Sequence, residues 1–218
     1  MIGVNQQNMN GTNRGLVLKS IMMKSPISRV ELSRMTGLSK MTVSGLVNDY
    51  VEKGIVWECG ESDSTGGRRR TFLDVVPDSL LTLGIYIGRD ILNVGVIDLK
   101  GKILQSESLV LSIVENNEMF IQNLFLLCDR LIDTKYRDKI WGIGVSCAGP
   151  LLARDGVILN PPDFNNIRDL PIATILTERY HLPAYLQNDM CVPALAELYF
   201  GNKHQYDNFI YVGVSAGI

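Results

Sequence analysis

The stretch Ser28-Arg29-Val30-Glu31-Leu32-Ser33-Arg34-Met35-Thr36-Gly37-Leu38-Ser39-Lys40-Met41-Thr42-Val43-Ser44 decides how the first third of the chain folds. Ser28 followed three residues later by Glu31 is a capping-box pattern. The hydroxyl accepts the amide of the third helical residue, and the carboxylate reaches back to the cap. Val30, Leu32 and Met35 are expected on the buried face of this short helix. Thr36-Gly37-Leu38 reads as a tight turn, with glycine where φ can be positive. Ser39 then caps a second helix from Lys40 to about Lys53, whose inner side carries Val43, Leu46, Val47 and Tyr50. Gly54 stands where helices commonly end. Two short helices joined by a glycine-containing turn predict a helix-turn-helix.

Before this stretch, Asn13 to Met23 places Leu16, Val17 and Ile21 on one helical face, and Lys24-Ser25-Pro26 ends it. On the other side Ile55-Val56-Trp57-Glu58 is strand-like. A polar turn from Glu61 to Gly67 then leads into Arg68-Arg69-Arg70-Thr71-Phe72-Leu73, a β-hairpin wing with a basic edge. The start of the second motif helix reaches base edges in such folds, which makes Ser39, Lys40, Met41, Thr42 and Ser44 candidate DNA contacts. Thr42 and Ser44 donate or accept, and Thr42 adds a methyl group. The helix N-terminus itself favours phosphate. Arg68, Arg69 and Arg70 are candidate phosphate contacts, giving affinity while the helix gives specificity. A generic three-helix bundle and a solvated charge run are the bland alternatives.

The charge distribution separates these readings. The 218 residues carry a net charge of −2. Residues 1–76 hold ten basic against seven acidic side chains, net +3, and the remainder holds eleven against sixteen, net −5. A basic first third on an acidic remainder points to two modules with different partners. The boundary is expected at Val76-Pro77-Asp78, giving domains 1–76 and 77–218. The hydrophobic fraction of 46% and charged fraction of 20% exclude collagen-like, coiled-coil and wholly disordered classes. Cys59, Cys128, Cys147 and Cys191 show no C-x-x-C spacing and read as reduced thiols. His181 and His204 lie in no metal-ligand spacing, so no metal or cofactor is expected. Neither a signal peptide nor a membrane span is legible, so a cytoplasmic protein is expected.

The second module reads as alternating strands and helices. Strands are expected at Leu81–Gly88, Ile91–Leu99 and Ile103–Ser112, then a helix at Asn117–Thr134 and a strand at Ile140–Val145. A helix at Asp169–Tyr180, a strand at Pro183–Gln187, a helix at Met190–Phe200 and a strand at Asn208–Val214 follow. The expected fold class is α/β (α+β overall): a winged helix-turn-helix, then the first lobe of a ribonuclease-H/actin-like ATPase fold.

Over residues 13–218 the chain resembles the ROK family of repressors, open reading frames and sugar kinases. Four strings carry the resemblance: the helix-turn-helix stretch; Gly66-Gly67-Arg68-Arg69; Gly142-Ile143-Gly144-Val145 with Ala148-Gly149-Pro150; and Asn188-Asp189 with Ala194, Ala196, Glu197 and Gly201. The resemblance implies that Asn188 and Asp189 bind sugar hydroxyls. In the family's kinases the aspartate is the general base, a role expected to be a relic here. An Asn–Asp pair between a strand and a helix suits vicinal hydroxyls, although both residues also cap helices. Asn160-Pro161-Pro162-Asp163-Phe164 resembles the family's loop near the sugar.

The family's Asp-x-Gly-Gly-Thr phosphate loop is expected at Tyr86-Ile87-Gly88-Arg89-Asp90. Tyr86 stands at the metal-binding position, and Arg89 and Asp90 replace Gly-Thr. Phosphoryl transfer rests on metal and phosphate positioning, so no kinase activity is expected. Ser215-Ala216-Gly217-Ile218 resembles the start of a second phosphate motif. The chain is therefore expected to hold about half of the kinase-like body, without the family's zinc site. The expected function is a sequence-specific repressor of carbohydrate genes, with a double-stranded operator, a sugar or sugar-phosphate effector, and a homodimer matching half-sites. The alternatives are a sugar kinase with a fused DNA-binding domain, or a truncated paralogue that interacts with a full-length repressor.

Overall fold

The computed structural model describes residues 6–61, 71–111, 116–132, 135–162, 166–201 and 208–213. The chain forms two compact units, Met1–Ser79 and Leu80–Ile218.

The first unit contains α1 (Gln6–Lys24), β1 (Ile27–Ser28), α2 (Arg29–Thr36), α3 (Lys40–Glu52), β2 (Val56–Glu61) and β3 (Thr71–Val75). The three strands form an antiparallel sheet in the order β1-β3-β2. The capping box forms as read. Ser28 Oγ accepts the Glu31 amide, and Glu31 Oε2 accepts the Ser28 amide at 2.9 Å. Gly37 takes φ 69° and its amide donates to the Ser33 carbonyl, closing α2 in the left-handed conformation that glycine adopts without strain. Val17, Ile21, Leu32, Val43, Val47 and Leu73 are fully buried and form the core. Tyr50 Oη donates to the Arg14 carbonyl at 2.7 Å, tying α3 to α1. The Arg14 guanidinium pairs with Asp49, which also receives Lys53 Nζ at 3.0 Å. These two hydrogen bonds, Arg14's first, hold the Asp49 carboxyl below the usual carboxylate range.

Three expectations change here. α1 begins at Gln6 rather than Asn13. Val30 and Met35 are 39% and 50% exposed, and of the described α2 residues only Leu32 is buried. At about 100° per residue, Val30 lies about 160° round the helix from buried Leu32 and Met35 about 60° from it, so the three do not share one narrow buried side. Leu16 is likewise exposed, one position round from buried Val17.

The second unit contains β4 (Leu81–Ile87), β5 (Ile91–Asp98), β6 (Ile103–Val110), α4 (Asn117–Ile132), β7 (Ile140–Cys147), β8 (Leu151–Leu152), β9 (Val157–Ile158), α5 (Ile172–Tyr180), β10 (Ala184–Asn188) and α6 (Cys191–Phe200). It is a mixed α/β unit. The five-stranded sheet runs β6-β5-β4-β7-β10. The first three strands are antiparallel neighbours, while β4, β7 and β10 are parallel. One face of β4 and β5 buries Leu81, Leu83, Ile85, Ile87, Leu92, Val94 and Val96 against Phe120, Leu124, Leu127 and Leu131 of α4. This is the apolar-in alternation of a strand meeting the stripe of an amphipathic helix. Asp98 closes the β5–β6 turn by accepting the amides of Lys100 and Lys102, each at 2.9 Å.

The helix expected from Asp169 starts only at Ile172, because Asp169 has φ 45°, outside the right-handed helical region. The strand expected at Asn208–Val214 is not found over 208–213, where Ile210 is 90% exposed. Its apolar run has no ladder partner among the described strands, and a strand needs one. The short hairpin β8–β9 and strand β1 lie where no strand was expected.

Candidate nucleic-acid interface and candidate sugar site

Four residues of α3 point into the core, so helical periodicity fixes its outward line as Met41, Gly45 and Asn48. Met41 is 84% exposed, Ser39, Lys40 and Thr42 are also exposed, and Ser44 is half-buried. The five candidate residues thus gather at one helix end, with Thr42 on one flank of the Met41 line and Lys40 and Ser44 on the other. Ser39 is first a structural residue. Its Oγ accepts the Thr42 amide at 3.1 Å, and the Ser39 and Thr42 hydroxyls lie 2.9 Å apart. Ser39→Ala is expected to lower stability by about 1 kcal/mol, as loss of an N-cap does, measured by urea denaturation. Arg68, Arg69 and Arg70 lie outside the described residues, as does Gly66-Gly67.

Three residues of this surface were not anticipated. Arg29, the first residue of α2, donates through Nη1 to Asn48 Oδ1 at 2.8 Å and through Nη2 to Glu58 Oε1 on β2 at 3.1 Å. Asn48 therefore has its carbonyl engaged and its exposed amide nitrogen oriented. The signal for Asn48 was its place seven residues after Met41. Nothing in the sequence paired it with Arg29.

In the second unit, Asn188 ends β10 and Asp189 precedes α6. Asn188 Oδ1 accepts the Met190 amide at 2.9 Å, and the Asp189 amide donates to the Cys147 carbonyl at 3.0 Å. Asn188 opposes Cys147 in the β10–β7 ladder, so the pair lies at the carboxyl ends of parallel strands, where open α/β sheets collect ligands. Asn188 Oδ1 thus closes a two-residue turn ahead of α6, whose N-cap is Met190 and carries no side-chain cap hydrogen bond. Tyr86 opposes Ser146 across β4 and β7. Tyr86, Ser146, Gln187 and Asp189 share a cavity of about 500 Å³. Arg89 and Asp90 occupy the exposed β4–β5 turn, in which the Gly88 amide donates to Ile91 O at 2.8 Å.

Cys147 is fully buried behind this site. Burial, and secondarily the Asp189 carboxylate, push its thiol up to about 12, a value that makes it unreactive. Cys128 in α4 is raised to about 12 for the same first reason. Among the described residues no group of three or more His, Cys, Asp or Glu side chains could hold a metal. Asp163 and Phe164, His204, and Ser215 to Ile218 lie outside the described residues. No helix among the described residues is long and apolar enough to cross a membrane.

A family model described as "ROK family" matches residues 82–218, more than half of the chain. The chain belongs to the ROK family. Its ROK relatives include the xylose repressor of Bacillus subtilis (strain 168), 34% identical over 212 residues that cover 94% of this chain and 53% of the relative. The DNA-binding transcriptional dual regulator NagC of Escherichia coli (strain K12) is 26% identical, with 94% of this chain and 50% of the relative covered. Among solved structures, a ROK family transcriptional regulator described as a homolog of the Escherichia coli Mlc protein superposes with a TM-score of 0.70 at 21% identity. That match covers 87% of this chain and 48% of the other, and it speaks for the fold alone. The chain spans about half the length of the curated ROK relatives it matches.

Proposed function

We propose that this chain is a sequence-specific DNA-binding repressor of carbohydrate genes. Its first unit would be a winged helix-turn-helix, with α2 and α3 as the motif and β2–β3 with their connecting segment as the wing. The observation that carries the reading is the exposed, Ser39-capped start of α3. Met41, Thr42 and Lys40 stand clear of the core on a helix whose opposite side is fully packed. A recognition helix presents its first turns to major-groove edges in this way. The repressor relatives support it, because their similarity runs through this unit as well as through the body.

In the second unit, Asn188 and Asp189 would contact a sugar or sugar phosphate, with xylose the first to try from the relatives' names. Such an effector acts only by binding one of two conformations more tightly. The ring of Tyr86 lines the Asp189 cavity at the position where the kinase pattern has a metal-binding carboxylate, so the body would bind without phosphoryl transfer. The Asp189 carboxylate would then be a relic of the general base. A homodimer would match a palindromic operator, and the protein would work in the cytoplasm, where the genome is.

The test is a fluorescence-anisotropy titration of the full chain into a labelled duplex at about 50 and about 200 mM salt. Steep loss of affinity with salt is expected, as phosphate neutralisation requires. No binding even at the lower salt would overturn the reading. A coupled ATPase assay with xylose, glucose and N-acetylglucosamine should show no turnover. Turnover that depends on sugar would favour the kinase alternative.

A further inference from the structure

Gly45 stands in the middle of α3, and nothing in its own fold asks for glycine. Its φ is that of an ordinary helix, and a Cβ placed on it would meet nothing within 4 Å. Glycine inside a helix is unfavourable relative to alanine because the unfolded chain loses more freedom there. A residue that weakens its own helix without relieving any contact calls for an external reason. Gly11 and Gly15 of α1 have equally open surroundings. Gly45 differs in its company. One turn before it is Met41, the most exposed large apolar side chain described in the first unit, and three residues after it is Asn48, its carbonyl held by Arg29.

We infer that Gly45 is a specificity-determining position of the proposed interface: its missing side chain lets the α3 backbone approach the duplex closely enough for Met41 and Asn48 to reach base edges. This rests on the DNA-binding reading above. The line then has a flat centre between two unlike readers. Met41 offers an apolar group suited to a thymine methyl. The Asn48 carbonyl is occupied, so its amide nitrogen presents donors suited to acceptors such as thymine O4 or guanine O6. A methyl group at position 45 would stand between them and hold the helix off the groove floor. The backbone phosphates, met by other residues, would be little affected.

The experiment uses the full chain and a random-sequence duplex library, from which wild-type protein selects a preferred duplex. Wild type and Gly45→Ala are then titrated with that duplex and with a shuffled one. The Gly45→Ala chain is expected to melt no lower than wild type, to bind the selected duplex at least ten-fold more weakly, and to bind the shuffled duplex with unchanged affinity and salt slope. Asn48→Ala should relax the preference at one position of the selected sequence. Equal affinity of wild type and Gly45→Ala for the selected duplex would overturn the inference while leaving the DNA-binding reading intact. A wild-type chain that enriches no sequence would bring down the reading and the inference together.

Discussion

Reversing Arg68, Arg69 and Arg70 to glutamate is expected to remove duplex binding almost entirely, with affinity falling by about 10³-fold or more at moderate salt. The substitution turns the net charge of residues 1–76 from +3 to −3. A DNA surface repels such a module over a Debye length of about 10 Å at 0.1 M salt. Each phosphate contact contributes about 0.9 to the slope of log affinity against log salt. Loss of three contacts should therefore flatten that slope by about 2.7. The run leads directly into Thr71 at the start of β3, whose Phe72 and Leu73 pair with Ser28 and Ile27 next to α2. This pairing holds β3, which follows the run, in one sheet with β1, directly ahead of α2. The measurement is the salt-dependent titration, repeated with the triple variant. Unchanged affinity and slope would remove the arginines from the interface and return them to a solvated charge run.

Phe120→Ala is expected to have the largest effect on stability, about 3–5 kcal/mol for a fully buried phenylalanine. Phe120 sits in the first turn of α4 with no exposed surface, among the β4 and β5 side chains. Its removal leaves a cavity under the sheet that α4, fixed along its length by Leu124, Leu127 and Leu131, has little freedom to fill. Trp141→Ala is the matched control. That ring is 65% exposed, and its loss should change stability by less than about 0.5 kcal/mol. Urea denaturation followed by circular dichroism reads both. A Phe120→Ala loss below about 1 kcal/mol would contradict the packing described for this core.

Where local chemistry and tertiary packing agree, the elements were legible from the residues. Ser28 and Glu31 announced the start of α2, Gly37 its end and Ser39 the start of α3, because each satisfies a backbone group that a helix terminus leaves open. The three opening strands of the body were legible because period-two alternation and turn residues coincide. Elements were missed where the deciding contact is distant in sequence. Strand β1 is two residues long and exists only because Leu73 and Phe72 lie beside it. Val30 and Met35 read as core from their apolar side chains, yet helical geometry turns Val30 about 160° and Met35 about 60° away from buried Leu32. The apolar run at 209–212 read as a strand but pairs with no described neighbour. The site follows the same rule. Met41, Thr42 and Lys40 could be named from the helix start alone. Arg29 could not, since its role depends on Asn48 nineteen residues away. Gly45 carried a signal that was readable, a glycine in the centre of a helical pattern, but its meaning needed the empty space around it.

If the exposed start of α3 meets DNA, amide chemical-shift mapping of the isotope-labelled full chain, titrated with the duplex it selects, will show it. The largest shifts are expected at the amides of Ser39 to Asn48, with those of α4 and β10 unmoved. Shifts confined to the second unit, or none at saturating duplex, would show that α3 is not the DNA-binding surface.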